Sequence, residues 1–233
     1  MFRRRDIVSG GDRQVTVKRA AASLIAFFSF FAAVVPADAR KADLQYWHTE
    51  TVSWKVADDW KVSLSNESYF DDDASHRYYH EGDIGVSYSG LAKWFDLSLN
   101  FKHVLTESKN KWRREERPHI NGTFKFNICK FSFIDRNRFE YKIREAGTDF
   151  WKYRNLLTIK FPCKFTSLEI QPYIADELHV DEVVSENRSY AGFTFKITKE
   201  LGADIYYMQK RNRQSGGNWI GANVIGTRLK LDF

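Results

Sequence analysis

The chain has few of the features that mark soluble enzymes or helical membrane proteins. Proline is scarce, at 4 of 233 residues, and cysteine occurs only at Cys129 and Cys163. After residue 40 no apolar run approaches the roughly 20 residues that a membrane-spanning helix needs. The sequence has no glycine-rich phosphate loop, no cofactor fingerprint and no spaced cluster of metal ligands. We therefore expect no cofactor and no helical membrane domain after residue 40.

The first 39 residues have the composition of a secretory signal. A basic start, MFRRRDIVSGGDRQVTVKRA, precedes the apolar stretch AASLIAFFSFFAAVVP, and Ala37-Asp38-Ala39 has the small-x-small pattern of a cleavage site. We predict a signal peptide over 1–39 and one mature domain over 40–233, with a single membrane anchor as the alternative. The removed segment holds six of the 36 basic and three of the 30 acidic residues, which leaves a net charge of +3. A charge this mild argues against a nucleic-acid partner.

From residue 44 onward, apolar and polar residues alternate with the period of two that is typical of half-exposed β-strands. In FDLSLNFKHVL, residues 95–105, phenylalanine and leucine dominate one parity and polar residues the other. Segments of this kind predict an all-β fold. The predicted strands are 44–56, 60–70, 77–88, 94–106, 113–128, 131–145, 149–161, 166–180, 188–198, 202–211 and 218–233.

Connection lengths favour a transmembrane antiparallel up-and-down β-barrel over a soluble sandwich, although both folds alternate apolar and polar residues. Outer-membrane barrels have tight periplasmic turns and longer external loops, whereas a sandwich has no reason to alternate. The predicted connections do alternate. Short ones lie near 57–59, 91–93, 129–130, 162–164 and 199–200, and longer ones near 71–76, 107–112, 145–149, 181–187 and 211–218.

The seven tryptophans also favour the barrel. Indole rings prefer the membrane–water interface, so a barrel should carry them at both rims and not at strand centres. Trp54, Trp60 and Trp94 lie beside predicted short turns, Trp112, Trp151 and Trp219 beside longer loops, and Trp47 near the free end of the first strand.

The strand count does not fit the usual rule. Single-chain bacterial barrels have an even number of strands, whereas eleven segments are predicted. Either the first segment forms two short strands, 40–48 and 49–56, or one segment is wrongly assigned, so we predict about 10–12 strands.

The residues also resemble a known family. The segments that carry the resemblance are YWHTETVSWKVADDWKVSL (46–64), YYHEGDIGVSYSGLA (78–92), RREERPHINGTFKF (113–126), RNRFEYKIRE (136–145), WKYRN (151–155), IQPYIADE (170–177), RSYAGFTFKI (188–197) and NVIGTRLKLDF (223–233). They resemble the uncharacterised outer-membrane family called domain of unknown function 2490. The resemblance implies an outer-membrane barrel of a Gram-negative bacterium and no established activity.

The last strand resembles the C-terminal signature of outer-membrane proteins. Apolar residues alternate before a terminal aromatic residue, Phe233, which the assembly machinery recognises in such proteins. We therefore expect three kinds of partner: outer-membrane lipid, lipopolysaccharide and the assembly machinery.

The charged faces of the predicted strands form the strongest candidate site. In a barrel they line the lumen, where charges must be paired or hydrated because unpaired burial is costly. They form either a ladder that fills the lumen or, since bases outnumber acids, a narrow passage that favours anions. The predicted lumen charge network is Arg113, Glu115, Arg117, His119, Arg136, Arg138, Glu140, Lys142, Arg144, Lys152, Arg154, Glu177, Arg188 and Arg228.

A hairpin over 113–145 would set the register of this network. With Cys129 and Lys130 as its turn, paired residue numbers add up to 259, which places Glu115 opposite Arg144 and His119 opposite Glu140.

An outer-leaflet lipid hydrolase, of the phospholipase or lipid A deacylase type, is the alternative function. His80 and His103 share the parity of lipid-facing neighbours, but we find no serine on that face beside them with an acid or amide to orient the pair, and Ser75 and Ser108 fall in loops. A catalytic triad is defined by geometry, and none can be assembled from the sequence. We therefore predict no catalytic residues and no enzyme.

The two cysteines leave two alternatives open. Both lie at predicted short turns two strands apart, a separation of about 10 Å from the spacing of strands. A disulfide needs Cα atoms within about 7 Å, so Cys129 and Cys163 form a bond only if the turns bend together; otherwise they are free thiols.

Two kinds of loop offer weaker candidates. The acidic segment DDDASH, residues 71–76, would offer carboxylate oxygens to a divalent cation. The basic runs KNKWRR (109–114) and KRNR (210–213) would suit lipopolysaccharide phosphates. Solvated loops explain all three segments equally well.

Overall fold

A computed structural model describes residues 44–233, which form a closed barrel of eleven β-strands. The predicted signal peptide lies outside the described residues. The strands are β1 (Leu44–Ala57), β2 (Trp60–Asp71), β3 (His76–Ala92), β4 (Phe95–Ser108), β5 (Lys111–Ile128), β6 (Phe131–Arg144), β7 (Phe150–Lys160), β8 (Gln171–Val180), β9 (Val184–Lys196), β10 (Leu201–Arg213) and β11 (Trp219–Asp232). Among residues 44–233 there is no helix that could cross a membrane.

The predicted all-β barrel is confirmed, but its pairing is mixed. Each strand pairs antiparallel with the next, whereas β1 and β11 pair in parallel, with Leu44 opposite Asn223 and Ser53 opposite Asp232. An odd number of up-and-down strands leaves the first and last running in the same direction, so they can close the barrel only in parallel. The expectation of purely antiparallel pairing is therefore wrong, and so is the division of the first segment into two strands.

Because the strand number is odd, the chain enters and leaves the barrel at opposite ends. We call the end that holds Leu44 and the connections after the even-numbered strands the N-terminal rim. The other end, with Phe233 and the connections after the odd-numbered strands, is the C-terminal rim.

Connection lengths do not alternate as predicted. Lys109 and Asn110, expected in a long loop, form a two-residue hairpin turn with both φ values positive. The connection after β7, expected to be short, covers 161–170 and is the longest between described strands. It is ordered by a bridge between Phe165 and Ile170 and by an exposed ion pair between Lys164 and Glu169.

The barrel turns its charged face inward and its apolar face outward. On β3, Glu81 and Asp83 are buried in the lumen, while Ile84 and Val86 are exposed on the outer wall. Other exposed outward residues include Leu64, Leu99, Phe101, Ile120, Phe139, Ile143, Ile205 and Ile225. This arrangement is the reverse of a soluble protein and excludes a sandwich with an apolar core. So large an exposed apolar surface marks a site of contact with membrane or protein.

Six tryptophans follow the predicted positions near the two rims and one does not. Trp54, Trp60, Trp94, Trp112, Trp151 and Trp219 are 41–66% exposed. Trp47 is only 1% exposed, because the odd-numbered residues of β1 face the lumen. It therefore belongs to the interior of the barrel and not to an interfacial girdle.

Of the two alternatives left open for the cysteines, the structure has the free thiols, at Cys129 and Cys163. Cys129 occupies the turn between β5 and β6, and Cys163 lies in the connection between β7 and β8. The pair β6 and β7 separates these connections by about two strand spacings, or 10 Å, which exceeds the reach of a disulfide.

Candidate functional site

The lumen is organised around a fully buried carboxylate, Glu177 of β8, which is 1% exposed. Three arginines converge on it. Arg154 donates to its Oε1 at 2.8 Å and Arg136 at 2.9 Å, while Arg188 donates to Oε2 at 3.5 Å. His179 lies 3.2 Å from Oε2. We call Glu177 and these three arginines the Glu177 cluster. The carboxylate of Glu177 offsets the buried positive charge of arginines from three strands.

A chain of ion pairs extends from this cluster toward the N-terminal rim. Arg154 also lies 3.6 Å from Glu140, which is itself 1% exposed. Lys142 lies between Glu140 at 4.0 Å and Glu115 at 3.5 Å, and Glu115 accepts a hydrogen bond from Arg117. Alternating signs along this path allow charges from β5, β6 and β7 to be buried together.

The predicted register of β5 and β6 is confirmed, but it does not fix the ion pairs. Glu115 lies opposite Arg144, as expected. Arg144 instead donates from Nε to the Thr148 carbonyl at 2.9 Å and lies 4.9 Å from the Phe150 ring. Its long side chain turns toward the connection between β6 and β7 and leaves Glu115 to Arg117 and Lys142.

His119 likewise lies opposite Glu140 in the register and makes its closest ion pair elsewhere. Its Nε2 is 3.6 Å from Asp83. Asp83 belongs to a second buried group in which Lys102 donates to Glu81 and lies 3.7 Å from Asp83. The polar parity of β3 and β4 carries these residues, so the alternation signal could have found them.

The remaining predicted network residues differ in their surroundings. Arg138 donates to Asn121 at 2.7 Å, and Lys152 lies 3.9 Å from Asp181. Arg228 lies 3.8 Å from Asp204. Arg113 is exposed near the N-terminal rim, and the described contacts give it no part in the lumen network.

Aromatic rings fill the side of the lumen formed by β1, β2 and β3. Trp47 stacks on Tyr69 at 3.6 Å between centroids, and Tyr69 stacks on Tyr79 at 4.3 Å. We call these three residues the aromatic stack. Arg188 lies 4.8 Å and Lys210 5.3 Å from the centroid of the Trp47 ring, so cation–π contacts join the stack to the charged wall.

The part of the chain that the structure describes encloses an N-terminal and a C-terminal cavity in the lumen, and the Glu177 cluster lies between them. On β7, Arg154 lines one cavity and Leu156, the next inward residue, lines the other. On β9, Arg188 lines the same cavity as Arg154, and Tyr190 lines the same cavity as Leu156. The N-terminal cavity, on the side of the N-terminal rim, has a volume of about 240 Å³ and the C-terminal cavity about 200 Å³.

The N-terminal cavity carries an excess of positive charge. Its charged lining is Arg117, Lys142, Lys152, Arg154, Arg188 and Lys210 against Glu67, Glu81, Glu140 and Glu186, with His179 beside them. Three of the bases are lysines, and two of them form their ion pairs at long distances. Lys142 and Lys152 approach carboxylates no closer than 3.5 and 3.9 Å, and Lys210 faces the Trp47 ring. Such lysines can bind a small anion.

The comparisons with known proteins give a family and no relative of known activity. A family described as a protein of unknown function, DUF2490, matches residues 44–221. The chain belongs to this family. No curated protein and no solved structure matches it. The match ends inside β11. It covers the Glu177 cluster and the lining of the N-terminal cavity, whereas Arg228 and Lys230 of the C-terminal cavity lie beyond it.

The outer wall of this DUF2490 barrel contains a serine–histidine contact that the sequence did not reveal. Ser68 Oγ lies 3.1 Å from His80 Nδ1. Ser68 therefore does share the outward face with His80, whereas the described contacts of residues 44–233 give His80 no acid or amide partner that would orient it. His103 is not opposite His80; it pairs with Gly82 and lies 2.8 Å from a carboxylate oxygen of Glu116.

The acidic and basic segments that the sequence offered as weaker candidates form no defined binding site among the described residues of the DUF2490 barrel. Within residues 44–233 no group of three or more acidic, histidine or cysteine side chains could hold a metal ion. In the acidic segment, Asp71 contacts His76 at 2.8 Å. The basic run at 210–213 lies within β10 and not in a loop. In the connection after β7, a hydrogen bond from Lys164 lowers the pKa of Glu169.

Proposed function

We propose that this chain is an outer-membrane barrel of a Gram-negative bacterium that binds a small anion in its N-terminal cavity and forms no open pore. The Glu177 cluster carries the proposal, because it occupies the lumen between the two cavities. The exposed apolar wall, the aromatic residues at both rims and the terminal Phe233 support the membrane location. The role is therefore structural and ligand-binding, with no reaction in the lumen.

A narrow anion-favouring passage is the second candidate. The excess of bases around the N-terminal cavity favours it, as does the presence of Arg228, Lys160 and Lys230 in the C-terminal cavity. It differs from the first candidate in needing a water path through the Glu177 cluster.

Anion binding and conductance separate the two candidates. We expect the purified barrel to give no steady conductance in planar bilayers and to bind inorganic phosphate, measured calorimetrically against chloride at equal ionic strength. Replacing both Lys152 and Lys210 with Gln should weaken phosphate binding about 30-fold, since each removed charge contributes about 1 kcal/mol even when the separation of about 4 Å is filled by water. Lys160→Gln, in the C-terminal cavity, is the matched control. Stepwise anion-selective conductance would favour the passage, and undetectable phosphate binding would contradict the proposed anion site.

Labelling of intact cells tests the location and the orientation together. The odd strand number predicts that Leu44 shares a rim with the loop at 214–218. In a variant with both native cysteines replaced by Ser, we expect Leu44→Cys and Gly216→Cys to react with a large polyethylene-glycol maleimide added to cells. Cys129, kept alone as the control, should react only after the outer membrane is permeabilised. The opposite pattern would reverse the orientation, and no labelling at either rim would contradict the location.

Recognition of the last strand by the assembly machinery stays a prediction. Phe233 is 62% exposed, and its backbone is tied to β1 by bonds to Ser53 and Lys55. Phe233→Lys should reduce the yield of heat-modifiable, folded barrel more than Lys230→Ala does; equal yields would contradict it. Contacts of lipid and lipopolysaccharide with the outer wall and the basic N-terminal rim are part of the same proposal.

A further inference from the structure

We propose that the outer wall of the barrel carries an ester-hydrolysing site with Ser68 as nucleophile and His80 as general base, directed at the acyl esters of membrane lipids. The contact of 3.1 Å between Ser68 Oγ and His80 Nδ1 is the distance over which a base removes a hydroxyl proton. Both side chains are half-buried on the outward face, where a substrate in the surrounding phase can reach them.

The cross-strand register surrounds this serine with groups of the required chemistry. Ser68 lies between two histidines, with His80 opposite it on β3 and His48 opposite it on β1. His48 is held at Nε2 by Glu50 at 3.1 Å and at Nδ1 by Thr227 at 2.7 Å. These contacts fix the orientation of the histidine next to the nucleophile, although it is the neighbouring His48 and not His80 that the carboxylate holds.

Two further features provide room and a hydrogen-bond donor. Asn66 is two residues before Ser68 on the same strand, so its amide lies on the same outward face and is exposed. Gly82 is opposite Asn66, and a Cβ added there would meet no atom within 4 Å. The missing side chain leaves a notch beside the nucleophile that an acyl group can enter, with Asn66 positioned to donate to the oxyanion.

The position of Ser68 along β2 favours a membrane lipid as the substrate. Ser68 lies three residues before the end of β2 at the N-terminal rim, about 10 Å along the strand. Leu105 lies opposite His80 on the next strand, and Arg114 lies opposite Leu105. The acyl chains of a glycerophospholipid would thus contact the apolar wall. Its ester would lie at the Ser68 nucleophile and its phosphate at the Arg114 guanidinium.

The reaction is an ordinary acyl transfer to water. His80 Nδ1 takes the proton of Ser68 as Oγ bonds to the ester carbonyl carbon, and Asn66 donates to the oxyanion. The carbon–oxygen bond to the alcohol then breaks, and the alcohol leaves with the proton from His80. Water, deprotonated by His80, then attacks the acyl carbon. The bond between that carbon and Ser68 Oγ breaks, His80 returns the proton to Oγ, and the fatty acid is released.

The folded full barrel in detergent micelles allows a direct test. We expect a fluorophosphonate to modify Ser68, identified by peptide mass, and fatty acid to be released from phosphatidylcholine in mixed micelles. Ser68→Ala should abolish both signals, and His80→Asn should lower the rate roughly 10²–10⁴-fold. His76→Asn is the control, since His76 is an exposed histidine that contacts two carboxylates, Asp71 and Glu107, at the rim. Its rate should stay within twofold of the wild type.

The outcomes separate the site from its substrate. The lipid substrate rests on the membrane location proposed above, whereas the fluorophosphonate reaction does not depend on it. Gly82→Leu should block release from phospholipid and spare p-nitrophenyl acetate, because it fills only the notch. A wild type with no Ser68 adduct and no ester cleavage overturns the site. Cleavage of p-nitrophenyl acetate without release from phospholipid overturns the lipid assignment.

Discussion

Glu177→Ala should destabilise the barrel by about 3–5 kcal/mol, because it leaves a buried network of arginines without its central carboxylate. Glu177 accepts hydrogen bonds from Arg154 at 2.8 Å and from Arg136 at 2.9 Å, and Arg188 approaches at 3.5 Å. Urea unfolding of the wild type and the variant in lipid vesicles measures the difference. Glu177→Gln should lose nearly as much, since an amide fills the same space without the charge.

An exposed ion pair provides the control for this substitution. Glu169 pairs with Lys164 in the connection after β7, where both side chains are at least 41% exposed. Glu169→Ala should therefore leave the urea midpoint of unfolding nearly unchanged, because an exposed ion pair contributes little to stability. If Glu177→Ala unfolds at the same urea concentration as the wild type, water already hydrates the arginines or ions already neutralise them. The lumen would then be open at the level of the Glu177 cluster.

The contacts of the buried network also predict which of two neighbouring substitutions destabilises the barrel more. Glu140→Ala removes one partner of Arg154 at 3.6 Å but leaves Glu177 in place. It should destabilise the barrel less than Glu177→Ala does, because Arg154 keeps its shorter contact. The paired residue numbers of β5 and β6 indicated that Glu140 faces other charges. The residue numbers did not indicate that Glu140 contributes less to stability than Glu177, whose partners come from β6, β7 and β9.

The period-two pattern predicts strands and faces well because it depends only on the geometry of each strand. Ten of the eleven predicted segments begin and end within four residues of their observed strands, and the first segment of 44–56 matches β1. The exception, predicted at 166–180, begins at Gln171 because 166–170 belongs to a folded connection. Pairing across a two-residue turn is also predictable, as the register of β5 and β6 shows.

Alternation along β2 places Ser68 on the outward parity of Leu64, but a bulge determines which residue of β3 lies opposite it. Counting back from the pair Asp71 and His76 places Ser68 opposite Tyr79, which faces the lumen. A register shift between Tyr69 and Phe70 moves Ser68 opposite His80 instead. Such an irregularity changes the pairing by one residue and has no mark in the alternation pattern. Contacts between long charged side chains escape prediction for a related reason, since Arg144 can reach either of two partners from one register position.

Trp47→Ala should be the most informative change in the lumen, because it removes the largest buried side chain. We expect a loss of about 3–5 kcal/mol in the free energy of unfolding, as for other buried aromatic residues replaced by Ala. The vacated space adjoins Tyr69, Arg188 and Lys210. It would enlarge the N-terminal cavity toward the side of the lumen that the Glu177 cluster does not fill. Steady, anion-selective conductance should therefore appear in planar bilayers.

Trp54→Ala is the matched control, since it lies seven residues further along β1 and faces outward. It should lower stability less than Trp47→Ala and leave conductance unchanged, because an exposed indole does not close the lumen. Conductance that appears only in Trp47→Ala would show that the aromatic stack closes one half of the cross-section. If Trp47→Ala destabilises the barrel without conducting, the Glu177 cluster closes the lumen alone. Conductance in both Trp47→Ala and the wild type would contradict a closed lumen and leave the anion passage as the function of the interior.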